Sequence, residues 1–204
     1  MLHEPIANSQ DSHIICDMPS AVNHTLFSIF DGHGGAGAAI YAADNLVNTV
    51  QAQPDWKSYL ESGEEDVGKL GDSFAQAYLE LDIQLRRKQD NSQGADTSGC
   101  TAVSAMITPK YIVCANAGDS RCVLGTNGMT KNMSEDHKPY DEAERRRIEN
   151  AGGSVQWKRV DGDLAVSRAL GDFQFKTRSD LLARDQKVLL PRDPISVSLY
   201  FKRI

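Results

Sequence analysis

The chain has 204 residues, 40% of them hydrophobic and 25% charged, which is enough for one globular domain with a sizeable core. A formal charge of −6 excludes attachment to nucleic acid or anionic membrane by bulk positive charge, because phosphate backbones need clustered Lys and Arg. Met1 to Ser20 alternates polar and apolar residues without the basic start and apolar core of a signal peptide, and no apolar run approaches the ~20 residues that cross a bilayer, so the reading is a soluble intracellular protein, cytoplasmic or nuclear, with no membrane and no nucleic-acid partner.

Thr25 to Phe30 is an apolar, strand-like run that leads into Asp31-Gly32-His33-Gly34-Gly35. Apolar residues then recur at Ala36, Ala39, Ile40, Ala43, Leu46, Val47 and Val50, the helical period. A polar stretch containing Pro54, Gly63 and Gly68 follows, and Leu70, Phe74, Ala77, Tyr78, Leu81 and Leu85 mark a second helix with a charged outer face. The period then changes. Thr101 to Thr108, Tyr111 to Asn116 and Arg121 to Gly125 read as short strands, and Asn127-Gly128 is a tight-turn signal.

Asp141 with Glu144 forms a capping-box pattern for a helix of about three turns that ends at Gly152-Gly153. The charges from Glu142 to Glu149 read as a solvated face. Ser154 to Val160 and Leu164 to Ser167 are strand candidates on either side of Asp161-Gly162, a hairpin signal. From Asp172 to Asp193 the polar composition predicts a surface loop or flap. Hairpin-paired strands between long helices predict an α+β domain of antiparallel sheets covered by helices, spanning 1–204 as one unit.

The four cysteines, Cys16, Cys100, Cys114 and Cys122, show no C-x-x-C pair and no zinc-finger histidine, and they read as small buried residues. A thiolate phosphatase needs C-x5-R; Arg121 stands one position too far from Cys114.

The sharpest local feature is Asp31-Gly32-His33-Gly34-Gly35 at the end of a buried strand. Glycines let the backbone turn and approach a ligand, a carboxylate offers hard oxygen to Mg²⁺ or Mn²⁺, and histidine can move a proton near neutral pH. The same residues also fit an ordinary turn with a structural histidine. Gly118-Asp119-Ser120-Arg121 at a hairpin apex can turn a second carboxylate toward the same cleft, with Asp at a turn as the plain alternative.

Phe30-Asp31-Gly32-His33-Gly34-Gly35, Thr97-Ser98-Gly99-Cys100-Thr101-Ala102, Ala117-Gly118-Asp119-Ser120-Arg121, Asp136-His137-Lys138-Pro139, Ala151-Gly152-Gly153-Ser154-Val155 and Leu164 through Asp172 together resemble, in order and spacing, the motifs of PP2C (PPM) metal-dependent protein serine/threonine phosphatases. The resemblance implies a PP2C-like sandwich of two antiparallel β-sheets flanked by α-helices, two or more Mg²⁺ or Mn²⁺ ions, and a monomer acting on phosphorylated protein substrates. It implies that Asp31 bridges two ions, Gly32 offers its carbonyl, Asp119 belongs to an additional metal position, and His33 protonates the leaving alcohol while a water activated by the ions attacks phosphorus. His137, Arg168 and Asp172 are assigned turn, cap or packing roles.

The ends depart from the family pattern. Where the family carries a phosphate-holding Arg followed by Met-Glu-Asp, alignment puts Ile6 at the Arg and Gln10 at the metal-binding Glu, keeping Asp11 alone. The late Asp-Gly, Trp-Asp and Asp-Asn segments have no counterpart before Ile204, so the sandwich is expected to be incomplete at both termini. Three readings follow: an active phosphatase, a catalytically silent module that binds phosphoproteins, and a fragment whose open sheet edges keep it from folding stably.

Overall fold

The structure is a computed structural model that describes residues 9–177, 185–188 and, for the backbone, 200–203. Its central element is a five-stranded antiparallel sheet built from β1 (Ser12–Asp17), β2 (Thr25–Phe30), β5 (Ala102–Ile107), β6 (Tyr111–Ala117) and β12 (Tyr200–Arg203), in the order β1-β2-β5-β6-β12. Alternation sets its register: in β2, Leu26, Ser28 and Phe30 turn inward while Phe27 and Ile29 face out. A three-stranded sheet, in the order β11-β4-β3, is made of two-residue strands β3 (Gly32–His33), β4 (Gly99–Cys100) and β11 (Leu170–Gly171). The large sheet and this short one are the observed form of the predicted sandwich.

Three helices cover the inner face of the large sheet: α1 (Gly37–Gln51), α2 (Pro54–Glu61) and α3 (Val67–Asn91). Their apolar faces bury Leu46, Val50, Phe74, Leu81 and Leu85 against Leu26, Phe30 and Met106. Polar groups inside this layer are paired, as burial demands: the Tyr78 hydroxyl donates to Ser104 Oγ at 2.7 Å, and Ser28 and Ser104 share a hydrogen bond of 2.7 Å. Helix α2 lies in what the sequence shows as a polar stretch. Pro54 opens it at a position where no N–H is required, and it holds by burying Trp56 and Tyr59, three residues apart. Among the described residues no helix is long and apolar enough to cross a membrane.

Asn127-Gly128 joins β7 (Val123–Thr126) to β8 (Met129–Asn132), and both turn residues take positive φ, as a type I′ turn requires. The next hairpin corrects the sequence reading. Val155–Gln156 (β9) pairs with Arg159–Val160 (β10) around Trp157-Lys158, both at positive φ, so the apex is not Asp161-Gly162. Asp161-Gly162, also at positive φ, turns the chain back onto an isolated antiparallel Val160–Leu164 bridge, and Asp161 Oδ1 stitches the base of the β9–β10 hairpin by accepting the Ser154 N–H at 2.8 Å.

Helix α4 (Glu142–Asn150) brings a second correction: Asp141 is its N-cap without a side-chain cap bond, and Glu144 is not part of a solvated face. The Glu144 carboxylate is buried and accepts from Arg168 at 2.6 and 3.1 Å and from Arg147 at 2.8 Å. Burial alone would raise its pKa, but the hydrogen bonds and charges of Arg168 and Arg147 hold it at about 2. A depressed carboxylate stabilises the fold above its unfolded pKa of 4.5 and loses that contribution as pH falls toward 2. Stability is therefore expected to drop by about 3 kcal/mol across that window, and Glu144→Gln should flatten this slope in acid denaturation followed by circular dichroism.

The predicted surface loop from Asp172 is overturned at its start. Asp172 is buried, Phe173–Phe175 form a 3₁₀ turn, and Lys176 pairs in the interior with Asp82 of α3 at 3.0 Å. Residues 178–184 and 189–193 of that stretch, and Ile6, lie outside the described residues.

Candidate functional site

Strand β2 delivers Asp31 just past its C-terminal end, between two neighbours in the large sheet, and β3 carries Gly32 and His33 onto the small one. Thr101 ties this point to the neighbouring turn. Its N–H donates to the Asp31 carbonyl at 2.9 Å, its Oγ1 accepts the Asp31 N–H at 3.3 Å, and the same hydroxyl meets Ser120 Oγ at 2.7 Å. Asp119 is thereby brought beside Asp31. His137 fixes the root of that turn: its N–H donates to the Gly118 carbonyl at 3.0 Å and its Nδ1 accepts the Gly118 N–H at 3.1 Å. Burial, with the positive charge of Arg168 next, drives His137 down to about 3, so it is neutral and serves as a clasp.

Asp31, His33, Thr101, Asp119, Arg159 and Asp172 line one cleft of about 400 Å³. Asp11 and Gly32 are not among its lining residues; Asp11 Oδ1 accepts the Gly32 N–H at 3.2 Å next to Asp31 in the chain. Gly32 is required by close approach, since a Cβ there would lie 2.0 Å from the Gln10 carbonyl oxygen. Gln10 uses its Oε1 to accept the Gly35 N–H at 3.1 Å. Asp119 forms an ion pair with Lys138.

Asp172, which the sequence reading left to a turn, cap or packing role, is the hydrogen-bond partner of His33. Its carboxylate oxygens accept from His33 Nε2 at 2.8 and 2.9 Å, and its side chain is 2% exposed against 32% for His33. Asp172 sits in the left-handed region, φ +52, and packs so tightly on Gly99 that a Cβ there would lie 2.4 Å from the carboxylate. Such a conformation persists only where surroundings enforce it. They do so from α3: Asp82 Oδ1 accepts the Gly171 N–H at 2.7 Å and Lys176 Nζ at 3.0 Å, while Arg86 donates to the Lys176 carbonyl at 3.0 Å. The signal available in sequence was the position of Asp172 at the end of the motif from Leu164; its backbone conformation and its partner have none.

Electrostatics follow from this packing. Burial would lower the His33 pKa, but the Asp172 hydrogen bond and charge, with Asp31 and Asp119 adding, raise it above the ordinary histidine value. Asp31 is also raised, first by burial and then by the negative charges of Asp11 and Asp119, with the Asp11 carboxyl within hydrogen-bonding reach. Oxygen-only donors that repel one another suit a hard divalent cation, and this chemistry fits one ion at Asp31. Among the described residues no three His, Cys, Asp or Glu side chains converge as a ready-made metal cluster, as Lys138 engages Asp119 and Asp11 faces Gly32.

The family model described as "Protein phosphatase 2C" matches residues 6–197. The human protein named "Protein phosphatase 1B" is 41% identical over 155 residues, covering 74% of this chain and 32% of its own length. The human "Protein phosphatase 1A" is 38% identical over 169 residues, 82% of this chain and 44% of its own. The chain thus spans less than half the length of these curated relatives. A crystal structure titled as a serine-threonine phosphatase 2C from Toxoplasma gondii superposes with a TM-score of 0.79 at 20% identity, over 97% of this chain and 70% of that one, a likeness of fold.

Proposed function

Because the chain belongs to the protein phosphatase 2C family, we propose that its cleft is a metal-dependent phosphatase site for phosphoserine and phosphothreonine in proteins. The observation that carries this reading is the His33–Asp172 pair, 2.8 Å apart, at a cleft that also holds Asp31 and Asp119. Asp172 favours the protonated form of His33 and orients it through Nε2, which leaves Nδ1 to give a proton to the departing serine or threonine oxygen. Asp31, with Asp11 and Asp119 near it, would hold Mg²⁺ or Mn²⁺. Bound there, such an ion supplies a Lewis acid that neutralises phosphoryl charge and lowers the pKa of water. Arg159 also lines the cleft, its Nη1 donating to the Asp163 carbonyl at 2.5 Å, and its other guanidinium N–H groups suit phosphoryl oxygens.

Gln10 and the Lys138–Asp119 pair favour a second reading, a module that binds phosphoproteins without turning them over, because each removes negative charge that a second ion needs. One assay separates the two. Hydrolysis of a phosphothreonine peptide is expected to be slow, to require millimolar Mn²⁺ and to cease with EDTA. Gln10→Glu should raise it, since the isosteric carboxylate keeps the acceptor for Gly35 N–H and adds charge beside Asp31. No metal-dependent turnover in either protein would leave the silent module as the reading.

A further inference from the structure

Residues 185–188 are seated between α4 and the β9–β10 hairpin. Arg147 of α4 grips their backbone: its Nη1 donates to the carbonyl of Gln186 and, at 3.1 Å, to that of Lys187, while its Nη2 donates to the Ser167 carbonyl at 2.9 Å. Val188 is wholly buried in an apolar cluster with Ile148, Val160, Val166 and Phe175. Lys187 lies along Gly153, where a Cβ would come within 3.0 Å of its Cδ, and its Nζ pairs with Asp161 Oδ2 at 2.9 Å.

Resting on the reading of Arg159 as a donor to phosphoryl oxygens, we propose that this strap is a latch, with Lys187 as the positioning residue that sets the place of the Arg159 guanidinium in the cleft. Arg159 is exposed and has rotamer freedom to lose, so its position depends on the turn that follows it. Its Nη1 donates to the Asp163 carbonyl at 2.5 Å. The turn that places this carbonyl is closed on itself, since the N–H groups of Asp163 and Leu164 donate to the Val160 carbonyl at 2.9 and 3.3 Å and the Val160 N–H donates to the Leu164 carbonyl at 2.8 Å. Asp161 is its midpoint, in the left-handed region at φ +50, a conformation that persists only where surroundings enforce it. Ser154 holds one side, its carbonyl accepting the Asp161 N–H at 2.8 Å and its own N–H donating to Asp161 Oδ1 at 2.8 Å. Lys187 holds the other side through Oδ2, and Val188 packs against Val160. The strap thus meets the turn at one ionic and one apolar point, and Val166 and Phe175 of the same cluster line the cleft themselves.

The Lys187–Asp161 pair is 26% and 33% exposed, so its removal should barely move the urea midpoint, and an effect on position can be read apart from one on folding. The probe is a fluorescein-labelled peptide carrying the phosphonomethyl analogue of phosphoserine, which hydrolysis cannot consume, titrated with the chain in Mn²⁺ and read by anisotropy. Lys187→Met is expected to weaken its binding about three- to tenfold, the loss of part of a charge-assisted hydrogen bond, and Lys187→Arg, which keeps charge and reach, to restore it. Asp161→Asn tolerates the left-handed backbone and keeps the acceptor for Ser154; it should weaken binding equally, and the double variant no further. In Lys187→Met the Mn²⁺ affinity and the NMR titration of His33 should be unchanged, readouts that a general loosening of the fold would move. Arg159→Ala separates the two levels: weaker binding there with parent-like binding by Lys187→Met would overturn the latch and leave the reading of Arg159 standing. Parent-like binding by Arg159→Ala, or no binding by the parent chain, would overturn both.

Discussion

Replacing His33 by Ala is expected to slow hydrolysis of a phosphothreonine peptide by on the order of 10²- to 10⁴-fold, the contribution of a positioned general acid. The same variant should slow an aryl phosphate far less, because a phenolate, with its pKa near 10, departs without a proton. The reason lies in the pair with Asp172: a cationic imidazole beside a carboxylate that is 2% exposed keeps its proton to higher pH than a free histidine. Asp172→Asn should therefore lower the His33 pKa, read by NMR titration of the ring protons, and reduce turnover of the peptide more than that of the aryl ester. Equal losses on both substrates in His33→Ala would remove His33 from acid catalysis.

The second large effect is expected away from the cleft. Asp82→Ala leaves Lys176 buried without its carboxylate and the Gly171 N–H without its acceptor, and breaking one partner of a buried pair costs about 3–5 kcal/mol. Burial pushes the Asp82 carboxyl up, while Lys176, the Gly171 amide and Arg86 oppose it, so the pair depends on its complete set of partners. The loss would be read as a shift of the urea midpoint. A double replacement, Asp82→Leu with Lys176→Met, should recover much of the stability, as apolar pairs of similar volume often do. It should not restore the raised His33 pKa, since the tether on Gly171 and Asp172 is still missing. Full recovery of both would show that Asp82 serves packing alone.

The fold was legible in the sequence where period and composition agree. The apolar spacing from Leu70 to Leu85 foretold α3, and the run from Thr25 to Phe30 before a glycine-rich turn foretold β2 and the placement of Asp31. What escaped depended on partners distant in sequence. Glu144 reads as a capping residue in Asp141-Glu142-Ala143-Glu144, yet Arg168, 24 positions on, draws it inward. Asp161-Gly162 carries a stronger turn signal than Trp157-Lys158, but the strand register puts the apex at the latter. Asp172 looked like a surface-loop residue because no local pattern announces Asp82 and Lys176, 94 positions apart and joined in the core.

At the site itself, motifs placed Asp31, Gly32, His33, Asp11 and Asp119 in one neighbourhood, which the structure assembles through Thr101 and His137. Motifs did not reveal that Asp119 lies against Lys138 or that Gln10 spends its oxygen on the Gly35 amide, since both are matters of distance and not of residue type.

The central claim is that the carboxylates around Asp31 form a seat for a divalent cation beside the proton donor. The most direct measurement is calorimetric titration of Mn²⁺ into the chain and into Asp31→Asn, which keeps the side-chain shape and removes the charge. Binding by the parent chain and at least about tenfold weaker binding by the variant, ~1.4 kcal/mol or more, with an unchanged circular dichroism spectrum, is the predicted result. Equal Mn²⁺ affinity in the two proteins, or no binding by either, would contradict it.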